Sequence, residues 1–421
     1  MPRKHVVIIG GGFGGISAAK KLKKVDVDVT LIDKHNHHLF QPLLYQVATA
    51  AMSPGDIALP IRAILGKQGM KVILGCVVDI NRQEDYVELK NGRQINFDYL
   101  IAAPGSQYNY FGNDEWADYA PGLKSLADGL QVRERILLSL EEAEQLDDPV
   151  LRAPFLTYVI IGGGPTGVEM AGAIAEIAKR NMMRDYTTFS KNETRIFLVE
   201  AGPQILNGYP DSLSEKARES LENMGVRVLL NTPVIDIGPH RVSFKEGSIE
   251  TPNIIWAAGV SASPLLPKLN AEQDRSGRVM VNDDLSIPGS PRIFVIGDAA
   301  HKEDKNGNVL PALAPVAIQQ GEFIGKLIKY ELRGKKRDSF RYTDKGTMAT
   351  IGRAKAVADI RGFKFSGFIA WLLWSVIHIF FLIGFRNRVR VFMEWMWYYF
   401  TFKRGVRLIT KRFKSEVVNE R

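Results

Sequence analysis

A chain of 421 residues and 47.0 kDa, 45% hydrophobic and with 38 glycines, is long enough for two or three domains that each bury a core, and rich in the residue that tight βα turns need. Its single cysteine, Cys76, excludes an internal disulfide, a redox cysteine pair and a Cys-rich metal site; set in an apolar run over 72–78 that reads as a strand, it is expected to be a buried structural thiol. The net charge of +9 is not spread evenly: residues 361–421 carry 12 Lys and Arg against 3 Asp and Glu, whereas the remainder holds 43 of each sign.

In chain order, only five residues precede the strand-like run at 6–9, so no apolar targeting segment and an inner, cytosolic compartment are expected. Residues 6–15 read VVIIGGGFGG, and residues 158–167 repeat the pattern as YVIIGGGPTG. Each copy is an apolar run followed directly by G-x-G-x-x-G: Gly10, Gly12 and Gly15, then Gly162, Gly164 and Gly167. The first glycine of such a set makes the turn, the second admits a pyrophosphate to the backbone, and the third lets helix pack on strand. The phosphates then lie at a helix N-terminus, where free N–H groups and the dipole favour negative charge. An acidic strand end follows each copy, Asp33 at 23 residues past Gly10 and Glu200 at 38 residues past Gly162, suited to accept hydrogen bonds from ribose hydroxyls. The longer second interval holds a polar stretch over 181–193 that reads as a loop insertion. Ala201 and Gly202 follow Glu200, with no Arg to receive a 2′-phosphate, which favours NAD over NADP.

A further pair of strands, at 97–106 and 251–260, ends in small residues and a glycine (Ala103 and Gly105, then Gly259), each close to 90 residues after its fingerprint. The run PRIFVIGDAA at 291–300 is another strand, ending in Gly-Asp with Asp298. The fold expected is therefore α/β with two Rossmann-like dinucleotide-binding domains in tandem. The three histidines His35, His37 and His38 have no acidic or Cys cluster beside them, and no metal is expected.

The tail begins with residues 367–385, a 19-residue run without a formal charge, which touches the length needed to span a bilayer. Ser375 and His378 in its middle and the amphipathic piece that follows argue instead for a segment lying in the interface. If 386–414 is helical, Arg386, Arg390, Glu394, Thr401, Arg404, Arg407 and Lys411 share one side, while Trp395, Trp397, Tyr399 and Phe402 load the others. A basic, Trp-rich amphipathic element suits the surface of an anionic lipid bilayer, and the Leu, Ile, Phe and Trp between its charges argue against nucleic acid.

With these features the chain resembles the pyridine nucleotide–disulfide reductase superfamily and, within it, the type II NADH dehydrogenases, which pass electrons from NADH to quinone without pumping protons. The segments that carry the resemblance are HLFQPLLYQVATA (38–50), GPTGVE (164–169), IIWAAGV (254–260), LPALAPVAIQQG (310–321), MATIGRAKAVA (348–358) and the aromatic tail. It implies non-covalent FAD, NADH and a membrane quinone (ubiquinone or menaquinone), a peripheral place on the cytoplasmic face of the inner membrane, and allows a homodimer. It also implies an FAD-binding domain over 1–115 and 275–340, an NADH-binding domain over 150–270 and a membrane-associating region over 341–421, with NADH stacked on the flavin between the two nucleotide domains. Asp298 is then the residue expected at the flavin ribityl or phosphate, and backbone near Ala314 and Ala317 the helix terminus expected at the flavin edge. Glu169 is expected near the nicotinamide–flavin contact, and Gln319, Gln320 and Lys355 near the quinone. One departure stands out: Pro315 occupies a position where the family often has glutamine. Relatives that need redox cysteines are excluded by the single Cys76. A soluble ferredoxin or rubredoxin reductase would share residues 1–335 but has no use for the tail, and a non-catalytic NAD/FAD-binding sensor is the remaining alternative.

Overall fold

The computed structural model describes residues 2–66, 69–178, 185–401 and 406–409. The chain divides into two compact units, the first made of Met1–Leu39, Ala58–Tyr108 and Val260–Asp344, the second of Phe40–Ile57, Asn109–Gly259 and Lys345–Arg421.

The first unit is built on a six-stranded sheet in which the fingerprint strand Lys4–Ile9 lies between Val27–Asp33 and Tyr99–Ala102, with Lys71–Leu74 and Ser290–Val295 outside them, all parallel, and the short Ser286–Ile287 antiparallel at the edge. Such an order reverses direction at the fingerprint strand, and in open α/β sheets the crevice at that reversal is where ligands bind. Helices Phe13–Leu22 and Ala314–Glu331 cross so closely that a Cβ on Gly321 would lie 2.2 Å from the Gly14 carbonyl oxygen. Pro311 and Pro315 hold that second helix to a start at Ala314, since proline suits the first turn and not the interior.

The second unit repeats the design with four parallel strands in the order Val226–Leu229, Arg195–Val199, Thr157–Ile161, Asn253–Trp256. Every residue of Thr157–Ile161 is buried, as a central parallel strand covered on both faces requires. Burying its Val and Ile side chains contributes about 1.5–3 kcal/mol each. The insertion over 181–193 is only partly described, its residues 181–184 lying outside the described set. Beyond them Phe189 is buried against Leu137, Leu140 and Leu156, so the stretch is anchored rather than simply polar.

A three-stranded antiparallel sheet, Thr347–Gly352, Lys355–Ile360 and Phe363–Gly367, follows in the same unit and packs on the fingerprint helix Pro165–Glu176. The contact is backbone to backbone at Gly172, where a Cβ would fall 1.6 Å from the Ile351 carbonyl oxygen. Gly172→Ala is therefore expected to lower stability by about 1–3 kcal/mol, the usual cost of overpacking, read as a fall in the thermal midpoint. Gly238→Ala, where nothing lies within 4 Å, should leave the midpoint unchanged, and equal midpoints for both would contradict the packing.

Two helices follow the sheet, Phe368–Phe381 and Phe385–Thr401. The first has 14 residues, so it spans about 21 Å at 1.5 Å per residue. Among the described residues no helix is long and apolar enough to cross a membrane. Its two polar residues bond inside the helix: Ser375 donates to the Trp371 carbonyl at 2.8 Å and His378 Nδ1 to the Trp374 carbonyl at 2.6 Å. Burial lowers the His378 ring to about 4, so it is neutral.

Two expectations need correction. Cys76 is exposed, because it falls in a two-residue break between strands Lys71–Leu74 and Val77–Asn81 rather than inside one strand. The second tail helix does not run unbroken to 414: it is described as far as Thr401, residues 406–409 have no regular structure, and Phe402, Arg404 and Lys411 lie outside the described residues.

Candidate active site

Each unit carries one nucleotide cradle. In the first, Gly10 takes φ +99° and approaches the Ala103 carbonyl so closely that its Cβ would sit 2.1 Å from the oxygen. Gly12 caps helix Phe13–Leu22, and no atom lies within 4 Å of where its Cβ would be. Asp33 at the next strand end is already engaged: Oδ2 accepts Gly11 N–H at 2.5 Å and Oδ1 accepts His35 N–H at 2.6 Å, which fixes the carboxylate and leaves lone pairs for hydroxyl donors. Asp298 lies in the turn Gly297–Ala299 and accepts from Ser106 Oγ at 2.6 Å. Gly105, with φ +72°, has open space where its Cβ would be.

The second cradle reproduces this geometry. Gly164 caps Pro165–Glu176 with nothing within 4 Å of its Cβ position, and Gly167 closes on Gly162. Glu200 accepts Gly163 N–H through Oε2 at 2.6 Å and Gly202 N–H through Oε1 at 2.7 Å. Gly259 lies just beyond Asn253–Trp256 and its carbonyl accepts Asn109 N–H at 3.2 Å. In both cradles an open helix N-terminus faces outward beside a pinned carboxylate, the arrangement a dinucleotide pyrophosphate and ribose require. These residues fit FAD in the first unit and NADH in the second.

The remaining site candidates separate. Gln320 is buried and its Oε1 accepts Gly297 N–H at 2.6 Å, steadying the turn that holds Asp298. Gln319 forms a pair of 3.0 Å bonds with the Thr343 backbone. Both carboxamides therefore serve backbone groups of the first unit. Ala314 opens helix Ala314–Glu331, and Ala317 packs near Gly297.

Glu169, on the helix of the second cradle, lines a narrow cavity, partly open to solvent, which lies wholly in the second unit. Its walls come from four places: Tyr45, Gln46 and Thr49; Glu169, Ala173 and Glu176; the hairpin Thr350–Arg353; and the two tail helices through Trp371, Trp374, Trp395, Tyr398 and Tyr399. Burial raises the Glu169 carboxyl to about 8, against the single hydrogen bond from Thr350 N–H, so the acid is protonated at neutral pH. A carboxylate serving its own helix N-terminus would be shifted the other way. Tyr209, bonded to Thr347, lies close enough to Glu169 for its charge to add to the burial that pushes the phenol up. Lys355 opens the next strand but does not line this cavity; Arg353, two residues earlier, does.

The tail helix Phe385–Thr401 presents a polar face to the second unit. Asn387 donates to the Gly55 carbonyl at 3.2 Å, Arg390 pairs with buried Asp56 at 3.2 Å, Trp395 Nε1 donates to Gln46 Oε1 at 2.8 Å, and Tyr398 OH donates to Glu176 Oε2 at 2.6 Å. The other side is apolar and exposed, with Phe385 at 82%, Trp397 at 59% and Phe400 at 70%. This reverses part of the expectation from the charge pattern: Arg390 and Trp395 reach toward protein, because Arg390 finds an ion-pair partner in Asp56 and Trp395 a hydrogen-bond acceptor in Gln46. Among the described residues no group of three His, Cys, Asp or Glu is placed to hold a metal; His38 instead donates its Nδ1–H to the Gly11 carbonyl at 3.0 Å.

A profile of the pyridine nucleotide-disulphide oxidoreductases matches residues 4–321, and one of the NDH2 C-terminal domain matches residues 345–404. The type II NADH:quinone oxidoreductase Ndh of Mycobacterium tuberculosis is 44% identical over 97% of this chain and 91% of its own. The chain belongs to the type II NADH:quinone oxidoreductases. A Haemophilus influenzae member is 32% identical, covering 85% of this chain and 87% of its own. The fold matches that of NDH2 from Plasmodium falciparum, solved in complex with NADH, with a TM-score of 0.87 at 22% identity over 97% of this chain and 100% of that one. Within the family segments HLFQPLLYQVATA and MATIGRAKAVA, sequence reasoning missed Gln46 and Arg353, and it missed Glu176 altogether. The i, i+7 spacing of Glu169 and Glu176 on one helix was the available signal.

Proposed function

We propose that this chain oxidises NADH and reduces a membrane quinone to the quinol, without pumping protons, at the cavity that contains Glu169. FAD, bound non-covalently in the first cradle, supplies the two-electron carrier between the two substrates. The overall balance is NADH + H⁺ + quinone → NAD⁺ + quinol, so one proton has to come from water in addition to the hydride. Glu169 is the group suited to deliver it: it is half-buried, protonated at neutral pH, and lines a wall shared with the aromatic tail. That pairing is the observation that carries the proposal. The second cradle binds NADH, with Glu200 positioned to take ribose hydroxyls and to repel a 2′-phosphate.

The protein is peripheral at the cytoplasmic face of the membrane in this reading, and the tail supports the membrane contact. An exposed row of Phe385, Phe392, Met396, Trp397 and Phe400, continued on the neighbouring helix by Ile369, Leu372, Val376 and Phe380, is unfavourable against water and favourable against lipid. Arg386 and Arg388 at its start suit anionic headgroups. Replacing Phe392 and Phe400 together with Asp should lower binding to vesicles containing anionic lipid by about 100-fold or more, since two aromatic side chains lose their burial. Sedimentation with vesicles reads this, and unchanged binding would contradict a lipid-facing row. The acceptor itself is tested by giving the FAD-loaded protein NADH with a short-chain quinone, a ferredoxin or a dye. One quinol per NADH and no ferredoxin reduction is the expected result, and ferredoxin reduction in its place would overturn the reading.

A further inference from the structure

Glu176 ends the helix that carries Glu169, two turns further on, and is 9% exposed. Both of its oxygens are committed across the chain. Oε1 accepts Arg353 N–H at 2.5 Å and Oε2 accepts Tyr398 OH at 2.6 Å. Arg353 in turn lies with its guanidinium 4.3 Å from the Tyr399 ring centre and donates to the Tyr399 carbonyl, and Tyr399 stacks on Trp371 at 5.6 Å. One buried carboxylate thus joins the nucleotide-domain helix, the Gly352–Arg353 turn and the end of the tail helix, and all of these residues line the cavity.

We infer that Glu176 is a positioning residue for the quinone site: it holds Arg353 and Tyr398 in the cavity wall and so sets acceptor binding, without part in NADH oxidation. The inference rests on the reading of this cavity as the acceptor site. The chemistry favours a carboxylate at this position because it accepts only, and two donors converge on it. A carboxamide of the same shape keeps one acceptor oxygen for Arg353 N–H but turns an NH2 toward Tyr398, whose hydroxyl must then accept instead of donate, so the phenol rotates and its own proton loses the carboxylate. The damage should remain local. Tail contacts at Trp395–Gln46 and Arg390–Asp56 are independent of Glu176 and keep the earlier turns of the helix docked.

The test uses FAD-loaded Glu176→Gln, Tyr398→Phe and the double variant beside the parent protein, with a short-chain quinone and, separately, a dye acceptor. KM for quinone should rise about fivefold to twentyfold in each single variant with kcat within about twofold, the pattern of lost binding that is uniform through the reaction. The double variant should exceed neither single one by much, since both remove one bond. KM for NADH, the dye reaction and FAD content should not change, and a merely structural defect would move all three. An unchanged quinone KM in both single variants, additive effects, or an equal loss with the dye would overturn the inference. If Glu176→Gln does not fold, Tyr398→Phe carries the same test. Failure of the parent to reduce quinone at all overturns the cavity reading and this inference with it, whereas a parent that reduces quinone beside unaffected variants overturns this inference alone.

Discussion

Glu169→Gln slows NADH:quinone turnover by about 10- to 100-fold, the range for losing a positioned acid–base group, while FAD content stays the same. The reason lies in the protonation state. Burial holds the carboxyl up to about 8, so at pH 7 the side chain is an acid with a proton to give. Glutamine keeps the shape and can still donate a hydrogen bond, but it cannot transfer a proton and be recharged from water. The same cause fixes the pH dependence. The donor is the protonated form, which predominates below about pH 8, so quinone-dependent kcat/KM should be flat on the acid side and fall as pH rises through that value. In the Gln variant that falling limb should vanish. A wild-type profile that falls toward low pH instead would assign Glu169 the role of a base.

NADPH should be used at least about 100-fold less well than NADH in kcat/KM, because a 2′-phosphate would be brought against the Glu200 carboxylate, and like charges juxtaposed in a binding site cost several kcal/mol. The position of Glu200 is not adjustable: Gly163 N–H and Gly202 N–H pin its two oxygens at 2.6 and 2.7 Å, so the side chain cannot swing aside without leaving two backbone donors unmet. Glu200→Gln, which removes the charge but keeps one acceptor, should narrow the preference mainly by improving NADPH, with a smaller loss for NADH. Steady-state kinetics with both nucleotides reads the ratio. Comparable kcat/KM for NADH and NADPH in the parent protein would contradict the assignment.

The nucleotide cradles were legible in the sequence because their physics is local. A strand, a turn that demands positive φ at Gly10 and Gly162, and an acidic strand end all fall within 40 residues of one another, and spacing alone constrains them. Helix Ala314–Glu331 was legible for the same reason, through its prolines. Partner identity was not. Gln319 and Gln320 carry the right chemistry for a quinone, yet their carboxamides bond Thr343 and Gly297, contacts set by how distant backbone returns to the helix. Lys355 and Arg353 differ by two positions across a tight turn at Ala354, with φ 59°, and only the folded hairpin decides which meets the cavity. The tail exposed its amphipathicity in sequence but not its orientation: a pattern of Arg and Trp does not say that Asp56 and Gln46 will wait on the protein side. The exposure of Cys76 was not legible, because an apolar run of seven residues hides a break between two strands.

The measurement that bears most directly on the assignment of Glu169 to the quinone side is anaerobic stopped-flow on the two halves of the reaction. Protein is first mixed with NADH while flavin bleaching is followed, and quinone is then added while its absorbance recovers. Glu169→Gln should bleach at the parent rate and recover about 10- to 100-fold more slowly. Parent rates in both halves, or a defect confined to bleaching, would contradict it.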